Sequence, residues 1–242
     1  MARYAIISDI HSNIEALDAA LELIGGSDQI LCLGDIVGYG PNPNECVEKV
    51  RALATATVLG NHDVAAIDNF GLAYFNPAAR EAMRWTQRVI TKENAEWLNS
   101  LGYEFRMPEF LLVHGAPKNY FEYILDKAGA ARAFNATGAP ITFIGHTHIA
   151  EYYALEPDGT ISHKHLQHGG EIVLDSGTRY IINVGSVGQP RDLNPRASFG
   201  VYDPGEHTVN IVRFDYPIAL VQEKIVSAHL PEALARRLIA GR

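Results

Sequence analysis

Cysteine is scarce in this chain of 242 residues, and the little that is present excludes two classes of small scaffold. Only Cys32 and Cys46 occur, and they do not form a closely spaced metal-binding pair. A zinc ribbon or a disulfide-stapled fold would need more cysteines at closer spacing. Cys32 lies in the apolar run of residues 30–33, so we expect a buried thiol there rather than half of a disulfide.

Net positive charge is also lacking, because 28 acidic residues outnumber 20 basic ones and give a formal charge of -8. Proteins that bind duplex nucleic acid normally present a basic face, so we expect no such binding here. The acidic balance still allows a small phosphorylated substrate, because bound divalent ions invert the local field of a site.

Long apolar runs are absent as well. No stretch approaches the roughly 20 apolar residues that a membrane span needs, and the N-terminus lacks the basic and apolar regions of a signal peptide. We therefore expect a cytoplasmic protein without a membrane partner. The hydrophobic share of 47% is enough for a sizeable core, and no repeat or linker divides the chain. One domain spanning residues 1–242 is the simplest interpretation.

The residue pattern predicts an α/β fold whose two halves differ. In the first half, short apolar segments alternate with amphipathic ones, which is typical of parallel strands joined by crossover helices. Strands are predicted at residues 4–8, 29–33, 55–59, 110–113 and 141–144. Helices are predicted at 13–24, 44–53, 77–98 with a break near Thr91, and 121–134. Beyond Ala150, turn signals predict antiparallel strands at 151–156, 171–174, 180–184, 198–202 and 207–214, followed by one or two helices within 219–239.

Polar side chains follow five of the predicted strands, at the point where each strand ends. They are Asp9 and His11, Asp35, Asn61 with His62 and Asp63, His114, and His146 with His148. In open α/β sheets, ligands bind beyond the carboxyl ends of the strands, so we expect these side chains to meet. Gly34, Gly60 and Gly145 precede them, and a residue without a side chain lets the backbone turn sharply and approach closely.

These fragments together predict a metal centre. Each one alone has an ordinary explanation as a surface loop or a turn, but their recurrence at one structural position is hard to attribute to chance. Imidazole, carboxylate and carboxamide donors suit Mn, Fe, Ni, Co or Zn better than Ca or Mg. The candidate ligands exceed what one tetrahedral site uses, so we expect two divalent ions. Two ions roughly 3.5–4 Å apart can activate a bridging hydroxide and clamp a phosphoryl group.

With these residues placed, the chain resembles the calcineurin-like metallophosphoesterase superfamily. The resemblance runs in order through Asp9-x-His11, Gly34-Asp35, the segment 60–63, His114 and Gly145-His146-x-His148. It is closest to small bacterial and archaeal phosphodiesterase-like members, given the compact chain and the segment 183–188. The resemblance implies an α/β fold in the form of a four-layer α/β/β/α sandwich, with two mixed sheets flanked by helices.

The resemblance also implies a role for each residue. Asp9, His11 and His148 would hold the first ion, Asp35 would bridge, and Asn61, His114 and His146 would hold the second ion. His62 would act as the general acid that protonates the leaving group, with Asp63 orienting its imidazole ring. Asn13 would be a contact of the phosphate or of a ligand side chain.

One departure from the family pattern concerns substrate binding. Protein phosphatases of the superfamily carry an Arg shortly after the bridging Asp, whereas Tyr39 stands here. Arg191, in the polar loop 188–192, is either a replacement cation or a surface ion pair. We therefore take Asn13, Tyr39 and Arg191 as candidate substrate contacts.

Other polar and aromatic residues are weaker candidates. His163 and His165 would share one face of a strand, but no carboxylate or Cys pattern accompanies them or His168, so we expect solvated or core-edge histidines. Aromatic residues in the loops after the motifs, including Tyr74, Phe75 and Phe121, are either a wall for a base or simple packing.

Three functions fit this sequence. The first is hydrolysis of small phosphodiesters or phosphomonoesters, nucleotides included. The second is dephosphorylation of phosphoproteins, which Tyr39 disfavours. The third is a catalytically silent scaffold, which the complete ligand set disfavours. The sequence leaves the natural substrate, the metal in the cell and the choice between monomer and homodimer open.

Overall fold

The computed structural model describes residues 3–25 and 29–242. Within these residues the strands are β1 (Tyr4–Ile7), β2 (Gln29–Cys32), β3 (Ala54–Thr57), β4 (Glu104–Arg106), β5 (Phe110–Val113), β6 (Ile141–Ile144), β7 (Ala150–Leu155), β8 (Ile161–His165), β9 (Gly170–Val173), β10 (Arg179–Val184), β11 (Ala197–Asp203) and β12 (Thr208–Phe214). The helices are α1 (Ile14–Leu23), α2 (Pro43–Leu53), α3 (Asn61–Asp68), α4 (Pro77–Val89), α5 (Lys92–Asn99), α6 (Lys127–Ala136), α7 (Ile218–Ser227) and α8 (Glu232–Ala240).

The strands form two mixed six-stranded sheets. The first has the order β3-β2-β1-β11-β12-β9, and its first three strands are parallel. The second has the order β4-β5-β6-β10-β7-β8, with a parallel core of β5, β6 and β10. Antiparallel strands complete both sheets, which matches the change of pattern beyond Ala150. The carboxyl ends of the parallel strands carry the polar residues singled out above.

Alternation along the strands divides the core into layers. On β1, Ile6 belongs to the apolar layer between the two sheets, whereas its neighbour Ile7 packs under the helices of the first sheet. On β6, Phe143 faces the central layer and Ile144 faces the α6 side. Because successive side chains point to opposite faces of a strand, each sheet is buried on both faces. The result confirms the expected α/β/β/α sandwich.

Side-chain caps determine where two of the helices begin, and one of these two starts differs from the prediction. The expected break near Thr91 is confirmed, because the Thr91 side chain accepts from the backbone N–H of Asn94 and starts α5. The expected helix at 121–134 is wrong at its start. The Asp126 carboxylate caps Gly129 at 2.7 Å, so α6 begins only at Lys127. Residues 121–126 therefore precede the helix and form a loop.

Three elements were not predicted from the pattern. β4 is short, and β8 reads Ile-Ser-His-Lys-His, without the apolar alternation that marks a half-buried strand. Both lie at the edges of the second sheet, where polar residues are usual. The third is α3, which begins at Asn61 within what the pattern indicated as a loop.

The structure also bears on the two cysteines and on the apolar segments of the chain. Cys32 and Cys46 are both free and buried, as expected for Cys32. Among the residues that the structure describes, no helix is long and apolar enough to cross a membrane.

Candidate metal centre

The carboxyl ends of parallel strands from both sheets bring six of the seven candidate ligands into two groups that share one carboxylate. The first group contains Asp9, His11, Asp35 and His148, and the second contains Asp35, His114 and His146. Within each group the donor atoms lie within 4.8 Å of one another, and all six side chains are buried. The seventh candidate, Asn61, lines the adjoining cavity with His62 and His146.

Asp35 lies between the two groups. Its Oδ1 accepts a hydrogen bond from the backbone N–H of His62 at 2.8 Å, which fixes the carboxylate. Its Oδ2 lies 3.6 Å from His11 Nε2 on one side and 3.3 Å from His114 Nε2 on the other. One oxygen is thus anchored by the fold, and the other faces a histidine from each group. This is the geometry that a bridging ligand requires.

Backbone carbonyl groups orient the four histidines. The pairs are His11 Nδ1 with Val37 O at 3.1 Å, His114 Nδ1 with Leu33 O at 2.8 Å, His148 Nδ1 with Gln189 O at 2.6 Å, and His146 Nε2 with Phe121 O at 3.0 Å. A carbonyl oxygen only accepts, so each of these nitrogens carries a proton, and the other ring nitrogen offers a lone pair whenever the ring is neutral. Metal-binding histidines are held in this way in proteins generally.

The free nitrogens face one another. His11 Nε2 lies 3.1 Å from His148 Nε2, and His114 Nε2 lies 3.1 Å from His146 Nδ1. Two lone pairs at this distance repel each other unless a proton or a cation lies between them. The arrangement therefore fits two positive ions, one for each pair.

Two of the candidate ligands have a buried side-chain oxygen without a hydrogen-bond partner. Asp9 Oδ2 accepts from Ser8 Oγ at 2.6 Å and from the backbone N–H of His146 at 3.0 Å, but Asp9 Oδ1 has no partner. Asn61 Oδ1 is likewise buried without one. An orphaned buried acceptor is costly in a folded protein. Coordination of a cation would satisfy both, so the residues present fit a metal centre.

Burial sets the protonation of the histidines. Desolvation lowers the pKa of His11 and of His148 well below the usual range and that of His146 to about 3, so these rings are neutral and available as ligands. Burial also acts to lower the pKa of His114, but the Asp35 carboxylate outweighs it and raises that pKa to about 9. A proton shared by this pair is the one that a metal ion would displace.

Five of the candidate ligands have a strained backbone conformation. Positive φ angles between 49° and 68° occur at Asp9, His11, Asp35, His146 and His148. Residues with side chains avoid this region, and each instance costs of order 1–3 kcal/mol. Strain retained at five candidate ligands indicates that their placement serves function rather than stability.

The glycines before the motifs allow the loops to touch. A Cβ on Gly60 would lie 2.1 Å from Asp35 Oδ1, and one on Gly145 would lie 2.4 Å from Asp9 Oδ2. Neither position can hold a side chain while the carboxylates remain in place. The close approach expected from the sequence is therefore present.

The geometry corrects the role of Asp63. Its Oδ1 accepts from the backbone N–H groups of Ile36 and Val37, and its Oδ2 accepts from that of Gly60, so both oxygens hold backbone. Asp63 is the third residue of α3 and its carboxylate turns back to cap the helix, whereas adjacent helical residues do not face each other. It therefore positions the loop after Asp35 and does not orient the imidazole ring of its neighbour.

Packing rather than a carboxylate holds His62. Its ring lies between those of His11, Tyr39 and Phe75, with centroid distances of 4.5–4.8 Å. Its Nδ1 is buried without a hydrogen-bond partner. Burial lowers the pKa of His62 to about 4, although Asp35 acts in the opposite direction. His62 is thus neutral in the free protein.

A cavity of about 440 Å³ opens beside these residues. Its aromatic lining consists of Phe70, Tyr74, Phe75, Phe121 and Tyr123. Tyr74 is 93% exposed and Phe70 is 59% exposed, so these two side chains are not ordinary core packing. Its polar lining includes His62, His146, Arg191 and Arg237. The volume is within the usual range for small-ligand sites.

Tyr39 holds the two arginines at the cavity. Its hydroxyl oxygen accepts from Arg191 Nη2 at 3.2 Å. The guanidinium carbons of Arg191 and Arg237 lie 5.7 and 5.6 Å from the centre of its ring. The sequence pattern gave no reason to select Arg237, because it arrives on α8, far along the chain from every motif.

Asn13 is engaged within the protein. Its Oδ1 accepts from Ala16 N at 3.1 Å and caps α1, and its Nδ2 donates to Gly188 O at 2.9 Å. These bonds connect the first motif to the loop that carries Arg191. They leave Asn13 as a structural support of the site, and we do not assign it a substrate contact.

Comparisons with known proteins agree with this geometry. The model of the calcineurin-like phosphoesterase superfamily domain matches residues 3–206. An uncharacterised protein of Methanocaldococcus jannaschii is 42% identical, over 98% of this chain and 98% of its own length. The crystal structure of a metallophosphoesterase from Sphaerobacter thermophilus has 43% identity and a TM-score of 0.88, with 99% of each chain covered. A symmetrical bis(5'-nucleosyl)-tetraphosphatase of Psychromonas ingrahamii is 41% identical, but over only 26% of this chain and 25% of its own.

Proposed function

The chain belongs to the calcineurin-like phosphoesterase superfamily, and from this premise we propose that it is a dinuclear metal-dependent phosphoesterase acting on small, nucleotide-like phosphate esters. The observation that carries the proposal is the position of Asp35 Oδ2 between His11 of one donor group and His114 of the other. A single site would not need a shared carboxylate with histidines on both sides.

In this proposal Asp9, His11 and His148 would hold one ion, Asn61, His114 and His146 would hold the other, and Asp35 would be shared by both. Two divalent ions at such a centre supply a nucleophilic hydroxide at neutral pH and stabilise the charge on the phosphoryl oxygens. The donor set fits Mn, Fe, Ni, Co or Zn. The Asp9 and Asn61 oxygens without hydrogen-bond partners support this assignment.

His62 is the proposed proton donor to the leaving group. It lines the cavity beside Asn61, and its ring is fixed by Tyr39 and Phe75. Its pKa is low in the free protein, but the negative charge of a bound phosphate raises the pKa of a neighbouring imidazole. The substrate itself would thus bring His62 into its proton-donating form.

The cavity supports a substrate that combines an aromatic group with more than one anionic group. Aromatic side chains stack on nucleobases with about 1–3 kcal/mol per base. Arg191 and Arg237 hydrogen-bond to Tyr39, Gln189 and the main-chain oxygen of Arg242, and within residues 3–25 and 29–242 no Asp or Glu side chain pairs with either. Two guanidinium groups that both contact the Tyr39 ring, and that no Asp or Glu side chain of the described residues neutralises, fit a further phosphate.

Metal dependence is the direct test of this function. Protein stripped of metal should be inactive toward bis-p-nitrophenyl phosphate and p-nitrophenyl phosphate, and Mn, Co, Ni or Zn should restore hydrolysis. The ratio of diester to monoester rates, with a phosphopeptide as a third substrate, separates the two esterase functions from protein phosphatase activity. A folded protein that binds no metal, or that hydrolyses esters equally well without one, would contradict the proposal.

The arginine pair gives a second prediction. Arg237→Gln should lower kcat/KM about 10–100-fold for a nucleoside polyphosphate, because a hydrogen bond to a charged group contributes about 1.5–3 kcal/mol. Hydrolysis of bis-p-nitrophenyl phosphate, which has no second phosphate, should change little. Arg236→Gln is the matched control, because Arg236 lies on the same helix and pairs with Glu232 at the surface. An equal loss with both substrates would assign Arg237 to folding rather than to substrate binding.

A further inference from the structure

A second cluster of metal-ligand side chains lies on the β7–β8 hairpin, outside the site described above. It consists of Glu151, His163 and His165. His163 and His165 are alternate residues of β8 and share a face, and Glu151 pairs directly with His165 across the antiparallel ladder. The sequence pattern showed no carboxylate beside these histidines, and this expectation is wrong because Glu151 comes from the neighbouring strand.

The three donor atoms lie within 4.8 Å of one another. Glu151 Oε2 lies 2.7 Å from His163 Nε2 and 3.2 Å from His165 Nδ1. The centre proposed above offers a comparison within the same molecule, since its opposed imidazole nitrogens are 3.1 Å apart. Ligand atoms of a tetrahedral zinc ion, each about 2.0–2.2 Å from the metal, lie roughly 3.3–3.6 Å from one another. The Glu151–His165 distance is close to this spacing. The Glu151–His163 distance is that of a hydrogen bond and would lengthen by roughly 0.6–0.9 Å when a metal ion replaces the shared proton.

The cluster is built on rigid supports and opens on one side. The His163 ring stacks on that of Tyr153, with centroids 4.3 Å apart and planes 5° apart. The Glu151 side chain is 4% exposed, whereas that of His165 is 63% exposed. Glu151 is thus buried next to the two rings, and solvent can reach the cluster from the side of His165. The nearby Asp192 carboxylate pairs with Arg213 and does not take part.

We propose that Glu151, His163 and His165 form a second metal site, which binds Zn²⁺ with water in the fourth position. Two imidazoles and one carboxylate are a ligand set that proteins use for zinc when one position stays open. A cation there satisfies the buried Glu151 carboxylate by coordination rather than by an ion pair with a protonated histidine. The site would join β7 to β8 at the edge of the second sheet, separate from the proposed catalytic centre.

Zinc stoichiometry tests the site independently of catalysis. Equilibrium dialysis against Zn²⁺ followed by metal analysis should give one more bound ion in wild type than in His163→Ala or His165→Ala. Zinc affinity at the cluster should fall at least about tenfold in either variant. Removal of a residue that only hydrogen-bonds to a metal ligand already costs about tenfold or more, and removal of the ligand itself should cost no less. His168→Ala is the matched control, since His168 is an exposed histidine just beyond β8. Its stoichiometry should equal that of wild type.

The Asp35→Asn background separates this proposal from the proposed function. In that protein, added Zn²⁺ should still shift the ring NMR signals of His163 and His165, and Glu151→Gln should weaken the response without disturbing the fold. If Asp35→Asn loses zinc only from the centre that contains Asp35, and the ring signals of His163 and His165 still respond, the second site is supported. Unchanged ring signals at saturating Zn²⁺, or the same stoichiometry in wild type and both histidine variants, would overturn it.

Discussion

Asp35→Asn is expected to lower kcat/KM by about a thousandfold or more, because the substitution removes the carboxylate placed between the two donor groups. Asparagine keeps the size of the side chain and can still accept the hydrogen bond from the His62 backbone through Oδ1. What it loses is the negative charge that faces His11 and His114. Stabilisation by metal ions amounts to several kcal/mol, and roughly 4 kcal/mol corresponds to about a thousandfold.

Metal content shows whether the loss has the proposed cause. Asp35→Asn should bind the ions of this centre more weakly, and high metal concentration should restore only part of the activity. Asp18→Asn is the control, because the Asp18 carboxylate forms a partly exposed ion pair with Lys49. It should retain wild-type activity and metal content. An Asp35→Asn enzyme with two tightly bound ions and activity within tenfold of wild type would refute a bridging role.

His62→Ala is expected to lower kcat about 10²–10⁴-fold, the usual contribution of a general acid. Metal content should be unchanged, because His62 belongs to neither group of donor atoms. The defect should be largest with a poor leaving group such as an alkyl or nucleoside alcohol. It should be smallest with p-nitrophenolate, which departs without a proton.

The dependence on the leaving group separates catalysis from packing. His62 contacts the rings of Tyr39 and Phe75, so its removal also leaves a gap in the cavity wall. His62→Phe fills that gap without supplying a proton donor and should remain as defective as His62→Ala. If Phe restores activity, or if all esters lose the same factor, His62 is a packing residue and the proton comes from elsewhere.

Asp63 illustrates where transfer of a role by motif fails. Its place next to His62 in the sequence predicted that it orients the ring, but it caps α3 and holds the backbone of Ile36 and Val37. Neighbours in sequence diverge on a helix by about 100° per residue, so adjacency does not imply contact. Once α3 is known to begin at Asn61, the capping role of Asp63 follows.

The local sequence determined the fold class and the inventory of the site. Short apolar runs, their alternation with helical segments and the glycines at their ends were sufficient to place Asp9, Asp35 and His114 at strand termini. These signals are short in range, because hydrophobic periodicity and turn chemistry operate over a few residues. The convergence of the donors at the carboxyl ends of the strands followed from them, whereas the arrangement in two sheets was expected from the resemblance to the superfamily.

Tertiary structure decided what depends on contacts between distant segments. The Gln189 carbonyl that selects the free nitrogen of His148 is 41 residues away in sequence, and Arg237 reaches the cavity from the last turn of α8. Glu151 meets His163 and His165 only through the register of β7 with β8. No local pattern encodes these contacts, because they arise from the stacking of sheets, loops and helices, whose relative positions the whole core fixes.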